Sequence, residues 1–150
     1  MKKVIIMRGW PGTGKSTLAK CIKDAVVVSA DNFFINGRTG EYKYYPDLIK
    51  NAHQSCKDHF FRCCSENINP IVVDNTNINV RQYRFYEDVA HEYGYKVYQL
   101  VAPKENHNNG LDMSAEACYK RNVHNVPLAT IERMKKEFEV DDRLEHFVFT

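Results

Sequence analysis

The octapeptide Gly9-Trp10-Pro11-Gly12-Thr13-Gly14-Lys15-Ser16 follows the apolar run Val4-Ile5-Ile6-Met7 and opens a helical stretch. No other feature of the chain limits its fold as strongly. A short apolar run with β-branched residues reads as a buried parallel strand. A G-x-x-x-x-G-K-[ST] turn between that strand and a helix aims the helix's free N–H groups and positive dipole end at the space beyond the strand. Such a space takes phosphate groups. Gly9, Pro11, Gly12, Thr13, Gly14, Lys15, Ser16 and Thr17 form the candidate phosphate-binding set. Lys15 is expected to bridge the outer phosphates, and the Ser16 hydroxyl to ligate magnesium.

The rest of the chain extends the pattern. Helices are predicted over residues 15–24, 46–67, 79–93, 114–122 and 127–140, and strands over 2–8, 25–29, 71–74 and 95–101. Residues 36–40 and 103–110 read as polar turns, and residues 141–150 carry no clear period. Alternating strands and helices predict a parallel sheet covered on both faces, with right-handed crossovers. At 150 residues the expectation is one domain, 1–150, with a small helical lid at about 112–127.

Composition excludes more than it selects. The net charge is +2, so no strong global field marks a large non-specific nucleic-acid binder. Five cysteines without a C-x-x-C pair point to free thiols in a reducing, cytoplasmic setting, with the nucleus open as an alternative. No apolar run is long enough for a membrane span.

In parallel α/β sheets, ligands sit beyond the carboxyl ends of the strands. The second strand ends in Ser29-Ala30-Asp31-Asn32 and the third in Asp74-Asn75-Thr76-Asn77. Asp31 is the candidate base, able to accept a hydroxyl proton, with helix capping as the competing use. Asp74 is a candidate magnesium ligand of the Walker-B kind, and Asp74, Asn75 and Thr76 are together candidates for the acceptor side, with the division of roles among them open. Arg121 is the candidate lid cation for a transferring phosphoryl group, ahead of Lys120 and His124. Tyr42, Lys43, Tyr44 and Tyr45 form an aromatic-basic cluster that suits either base stacking or a half-buried surface. Arg8 receives no role, and His53, His59 and His91 are read as structural.

The ordered set runs from Met7-Arg8-Gly9 to Ser16, then Ser29 to Phe34, Gly40-Glu41-Tyr42, Asp74 to Asn77, and Lys120-Arg121-Asn122 with Val126-Pro127. It resembles the P-loop polynucleotide 5′-hydroxyl kinase superfamily, above all the small kinase-like domain of the Nedd-binding-protein-two-like group. The resemblance implies an α/β P-loop three-layer sandwich of the adenylate-kinase type, with a parallel sheet of four to five strands. It implies ATP and Mg2+ as cofactors and transfer of the γ-phosphate to a 5′-hydroxyl of DNA or RNA. The family's general base falls on Asp31, its loop lysine on Lys15, its magnesium-binding hydroxyl on Ser16, its acceptor-side strand end on Asn75 and Thr76, and its lid arginine on Arg121. Two positions depart from the phage-type enzymes. Phe34 stands where an arginine grips the acceptor phosphate, and the strand-three acid falls on Asn75, one residue after Asp74. A small-molecule hydroxyl and a nucleotide-dependent switch or interaction module are the alternative functions.

Overall fold

The computed structural model describes residues 1–103 and 112–149. Five parallel strands form one sheet in the order β2-β3-β1-β4-β5. They are β1 (Lys3–Arg8), β2 (Val26–Val28), β3 (Ile71–Asp74), β4 (Lys96–Val101) and β5 (Glu145–His146). Strand β1 lies at the centre, between β3 and β4, with Met7 level with Asp74 on one side and with Leu100 on the other.

The two-residue period of a strand sorts the core into layers. Val4 and Ile6 of β1 join Ile71 and Val73 of β3 on one face, while Ile5 and Met7 join Val72 on the opposite face. Helices α2 (Ile49–Ser65) and α3 (Val80–Glu92) cover the first face through Ala52, Cys56, Phe60, Tyr83 and Tyr86. Helix α1 (Lys15–Lys20) covers the second through Ala19. Right-handed crossovers require this split, because α1 carries the chain across the sheet one way and α2 and α3 carry it back. The three-layer α/β sandwich implied by the resemblance is the one observed.

Element boundaries moved where local geometry tightened. The helix expected over 15–24 stops at Lys20. Cys21 and Ile22 then donate to carbonyls three residues back, and Asp24 takes a φ of 61°, which no helix continues. Pro46–Leu48 form a 3₁₀ turn before α2 rather than its first turn. Asn79 caps α3 by accepting from the Gln82 N–H at 3.1 Å, and Gly94 follows that helix at a φ of 79°. Of the turn expected over 103–110, all but Pro103 lies outside the described residues.

The segment at 112–127 contributes helix α4 (Ala115–Arg121), and α5 (Leu128–Glu137) follows. Together with Trp10 and Ile78 they form a third apolar cluster through Ala115, Cys118 and Ile131, beyond the carboxyl end of β1. The unassigned tail supplies β5, which pairs with β4 from Tyr98 to Gln99, while Phe147 packs edge-on against Tyr98. Cys56, Cys63, Cys64 and Cys118 are buried free thiols and Cys21 is an exposed one. Among the described residues no helix is long and apolar enough to cross a membrane.

Candidate active site

The loop after β1 curls because two of its glycines stand in the left-handed region, Gly12 at a φ of 85° and Gly14 at 88°. Gly14 also caps α1, accepting from the Leu18 N–H at 3.0 Å. The loop is pinned from three sides. Gly9 N–H donates to the Thr76 carbonyl at 2.9 Å, which prolongs the β1–β3 pairing past the strands. The Thr13 hydroxyl donates to the Trp10 carbonyl at 2.9 Å. Trp10 itself is buried and meets the Phe138 ring edge-on at 5.8 Å.

Lys15, Ser16 and Asp74 converge at the start of α1. The Lys15 ammonium reaches back toward the Trp10 carbonyl at 3.5 Å. Desolvation lowers its pKa, and the nearby Asp74 and Asp31 carboxylates oppose that fall. The Ser16 hydroxyl donates to Asp74 Oδ2 at 2.9 Å. Burial pushes the Asp74 carboxyl up, against the pull of Lys15 and Ser16.

The other carboxylate oxygen, Asp74 Oδ1, is buried with no hydrogen-bond partner among the described residues. An ionised oxygen in that state is costly unless something cationic completes it. A divalent ion held by Asp74 and the Ser16 hydroxyl fits that position. Among the described residues no set of three or more His, Cys, Asp or Glu is arranged to hold a metal alone. Mg2+ sites shared with phosphates and waters need only one or two carboxylates.

Asp31 faces this group from the end of β2. It sits in a 3₁₀ turn, Ala30–Phe34, whose cap is Ser29: the Ser29 Oγ accepts from the Asp31 N–H at 3.2 Å. Ser29 thus takes the capping role, and the Asp31 carboxylate stays free of it, its side chain 51% exposed. Tyr42 Oη donates to Asp31 Oδ1 at 3.4 Å, and His124 Nε2 lies 3.6 Å from Oδ2. Burial first, then the Asp31 charge, pushes the Tyr42 phenol up to about 12, so it stays a proton donor.

Asn75 holds the turn of Asp31 in place. Its Oδ1 accepts from the Ala30 N–H at 2.9 Å and its Nδ2 donates to Cys56 Sγ at 3.6 Å. Thr76 contributes its carbonyl to Gly9. Phe34 is buried, against Phe33, Tyr42 and Tyr44 in edge-on contacts of 5.1–6.1 Å. A core position of that kind offers a phosphate nothing. Arg121 Nε donates to the Gly12 carbonyl at 3.1 Å and an Nη donates to the Asp112 carbonyl at 2.6 Å. The α4 end therefore places a permanent positive charge against the loop.

A family model described as "AAA domain", AAA_33, matches residues 4–140. The chain belongs to that family. This AAA domain is 27% identical over 148 residues to human NEDD4-binding protein 2, an alignment covering 91% of the chain and 8% of the relative. It is 23% identical to a putative bifunctional polynucleotide kinase/RNA ligase of Autographa californica nuclear polyhedrosis virus, across 98% of the chain and 22% of that protein. The chain thus spans less than a quarter of the length of either relative. Two solved structures share the fold. One is a chain of a Pnkp1/Rnl/Hen1 RNA repair complex, with a TM-score of 0.66 and 21% identity over 91% of this chain and 44% of that one. The other is an APS kinase, CysC, of Mycobacterium tuberculosis, with a TM-score of 0.50 and 15% identity over 67% of this chain and 75% of that one. The resemblance drawn from the ordered motifs holds, and the domain is P-loop kinase-like.

The AAA domain uses Gly12 for a second purpose. A Cβ there would lie 2.1 Å from the Cys118 carbonyl oxygen of α4, which is backbone and cannot swing aside. Gly12→Ala is expected to push α4 off the loop. The cost is about 1–3 kcal/mol of stability, measurable as a lower urea midpoint at unchanged slope. An unchanged midpoint would show that α4 yields freely.

Arg8 is the residue that sequence reasoning passed over. It is fully buried at the end of β1. Its guanidinium donates to the carbonyls of Asn77 at 2.9 Å, Ile78 at 3.1 Å and Glu139 at 2.5 Å, and to Gln99 Oε1 at 3.1 Å. The rings of Tyr83 and Phe138 flank it at 4.8 and 4.7 Å. The available signal was a lone charge closing an otherwise apolar strand directly before Gly9. Tyr42 stood out in the sequence only as part of the aromatic-basic cluster and the Gly40-Glu41-Tyr42 motif; its contact with Asp31 comes from the 3₁₀ turn and the strap that follows.

Proposed function

We propose that this domain is a magnesium-dependent ATP phosphotransferase that moves the γ-phosphate to a hydroxyl, with the 5′-hydroxyl end of DNA or RNA as its acceptor. One observation carries the reading. A half-exposed carboxylate, Asp31, lies within electrostatic reach of Lys15 and Asp74, with no capping duty and no lysine or arginine paired to it among the described residues.

In this reading the loop from Gly9 to Thr17 cradles the ATP phosphates. Asp31 takes the proton of the acceptor hydroxyl while its oxygen bonds to the γ-phosphorus. The bond from that phosphorus to the β–γ bridging oxygen breaks, and ADP leaves. Lys15 and Arg121 neutralise charge on the peripheral oxygens during the transfer. Ser16 and Asp74 would hold the Mg2+, which supplies further charge neutralisation when bound. Asn75 and Thr76 position the base and the loop, and residues 112–127 act as the lid. Residues 1–150 work as one unit, in an intracellular compartment.

The names carried by two similar proteins, polynucleotide kinase/RNA ligase and an RNA repair complex, support a polynucleotide acceptor. The buried Phe34, the net charge of +2 and the fold shared with an APS kinase support a small hydroxyl compound as the second reading. The test is transfer of labelled γ-phosphate from ATP to 5′-hydroxyl DNA, 5′-hydroxyl RNA and a panel of small hydroxyl compounds. Labelled 5′ ends are expected. Labelling of a small compound alone would overturn the polynucleotide acceptor. ATP hydrolysis indifferent to every acceptor would point to a switch instead.

A further inference from the structure

The turn that follows α4 reaches both halves of the site. At its start, Arg121 donates to the Gly12 carbonyl of the phosphate loop. Asn122 then closes the turn on itself. Its Nδ2 donates to the Tyr119 carbonyl at 2.6 Å, and its Oδ1 accepts from the Val126 N–H at 2.8 Å. Asn125, at a φ of 56°, makes the bend that this closure needs. His124 is held at the crest, with its ring 4.1 Å from the Tyr42 ring at a 37° tilt and its Nε2 3.6 Å from Asp31 Oδ2.

Tyr42 and His124 therefore take one oxygen each of the same carboxylate. A half-exposed aspartate otherwise rotates freely about its side-chain bonds, and holding it still costs entropy. Two groups, one at each oxygen, stop that rotation. His124 Nδ1 is buried and has no hydrogen-bond partner among the described residues. A proton on that nitrogen would be an orphaned buried donor. Nε2 is the nitrogen that faces Asp31 and is placed to donate to it. The 3.6 Å separation is just beyond a hydrogen bond, and catalytic contacts of this kind tighten when substrate binds.

We propose that His124 is a positioning residue which, stacked on Tyr42, aims the Asp31 carboxylate at the acceptor hydroxyl, so that the turn after α4 ties the phosphate loop to the base. This rests on the reading of Asp31 as the proton acceptor. His124 neither bonds to phosphorus nor takes the proton. It fixes the orientation of the group that does.

Two measurements on the full chain test it. The first needs no acceptor: long-range 1H–15N correlation of the histidine side chains at pH 8. It is expected to show His124 as the Nε2–H tautomer, with a resonance that moves in Asp31→Asn. An Nδ1–H tautomer, or a resonance indifferent to Asp31→Asn, overturns the proposal.

The second is steady-state transfer. His124→Ala is expected to lower kcat about ten- to hundredfold, the worth of a hydrogen bond to a charged group. The KM for ATP should stay within about twofold, because His124 contacts Asp31 and Tyr42 rather than the phosphate loop. His124→Gln, whose amide nitrogen reaches the place of Nε2, should recover most of the loss. His124→Ala should cost nothing further in an Asp31→Asn background. Full kcat in His124→Ala, or equal losses in Ala and Gln, overturns the proposal. If no hydroxyl accepts phosphate at all, it is the kinase reading that fails, while the tautomer measurement still decides the contact.

Discussion

Asp31→Asn is expected to reduce kcat for phosphoryl transfer by about 10²–10⁴-fold, the range attributed to general-base catalysis. The asparagine keeps the shape of the side chain and can still contact Tyr42 and His124, but it cannot take a proton. The side chain is half-exposed and caps nothing, so the substitution removes little from the folded state. The melting temperature should therefore stay within a degree or two, as surface substitutions away from special features change stability by only about 0.5 kcal/mol. ATP affinity should hold as well, because the loop, Lys15, Ser16 and Asp74 are untouched. A variant that folds, binds ATP and does not transfer phosphate isolates the base. Full transfer activity in Asp31→Asn would remove the carboxylate from the mechanism and would take the positioning role of His124 with it.

Arg8→Leu is expected to be the most damaging single change to the fold. The substitution keeps apolar contact with Tyr83 and Phe138 but strands three acceptors, the carbonyls of Asn77 and Glu139 and Gln99 Oε1, while the Ile78 carbonyl keeps the Glu139 N–H at 2.9 Å. Each buried acceptor left unpaired costs about 1–3 kcal/mol, and the three share relaxation, so the total is about 3–5 kcal/mol. That is a large part of the roughly 5–15 kcal/mol available to a domain of this size. The melting temperature should fall by roughly 6–20 °C. Arg8→Lys should rescue little, since one ammonium has no planar fork to meet four acceptors spread around it. A melting curve unchanged in Arg8→Leu would show that water replaces the guanidinium at no cost.

The two variants separate the chemistry of the site from its scaffold. Arg8 joins the end of β1, the Asn77–Ile78 segment after β3, Gln99 of β4 and Glu139 beyond α5. Those are the elements that set the phosphate loop against the segment after β3. Asp31, by contrast, stands at the rim, and its surroundings hold its orientation rather than the fold.

The phosphate loop, the order of strands and helices, and the acidic ends of β2 and β3 were legible in the chain. Each rests on local information: a run of β-branched residues, a fixed glycine spacing, an apolar stripe at helical period. Strand β5 was not legible, because two residues show no period. The short α1 was overestimated for a related reason. Its apolar spacing continues past Lys20, while the tightening at Cys21 and the left-handed Asp24 leave no mark in that spacing.

The sequence by itself determined where phosphates belong, since a glycine-rich turn between a strand and a helix needs no distant partner to form. It also marked Phe34 as a departure from an arginine. Only the tertiary structure decided what that departure does: Phe34 is core, and Tyr42 and His124 flank the Asp31 carboxylate. The strap after the 3₁₀ turn brings Tyr42, and the turn after α4 brings His124, to one carboxylate, and the second meeting depends on how α4 packs against the phosphate loop rather than on any spacing along the chain.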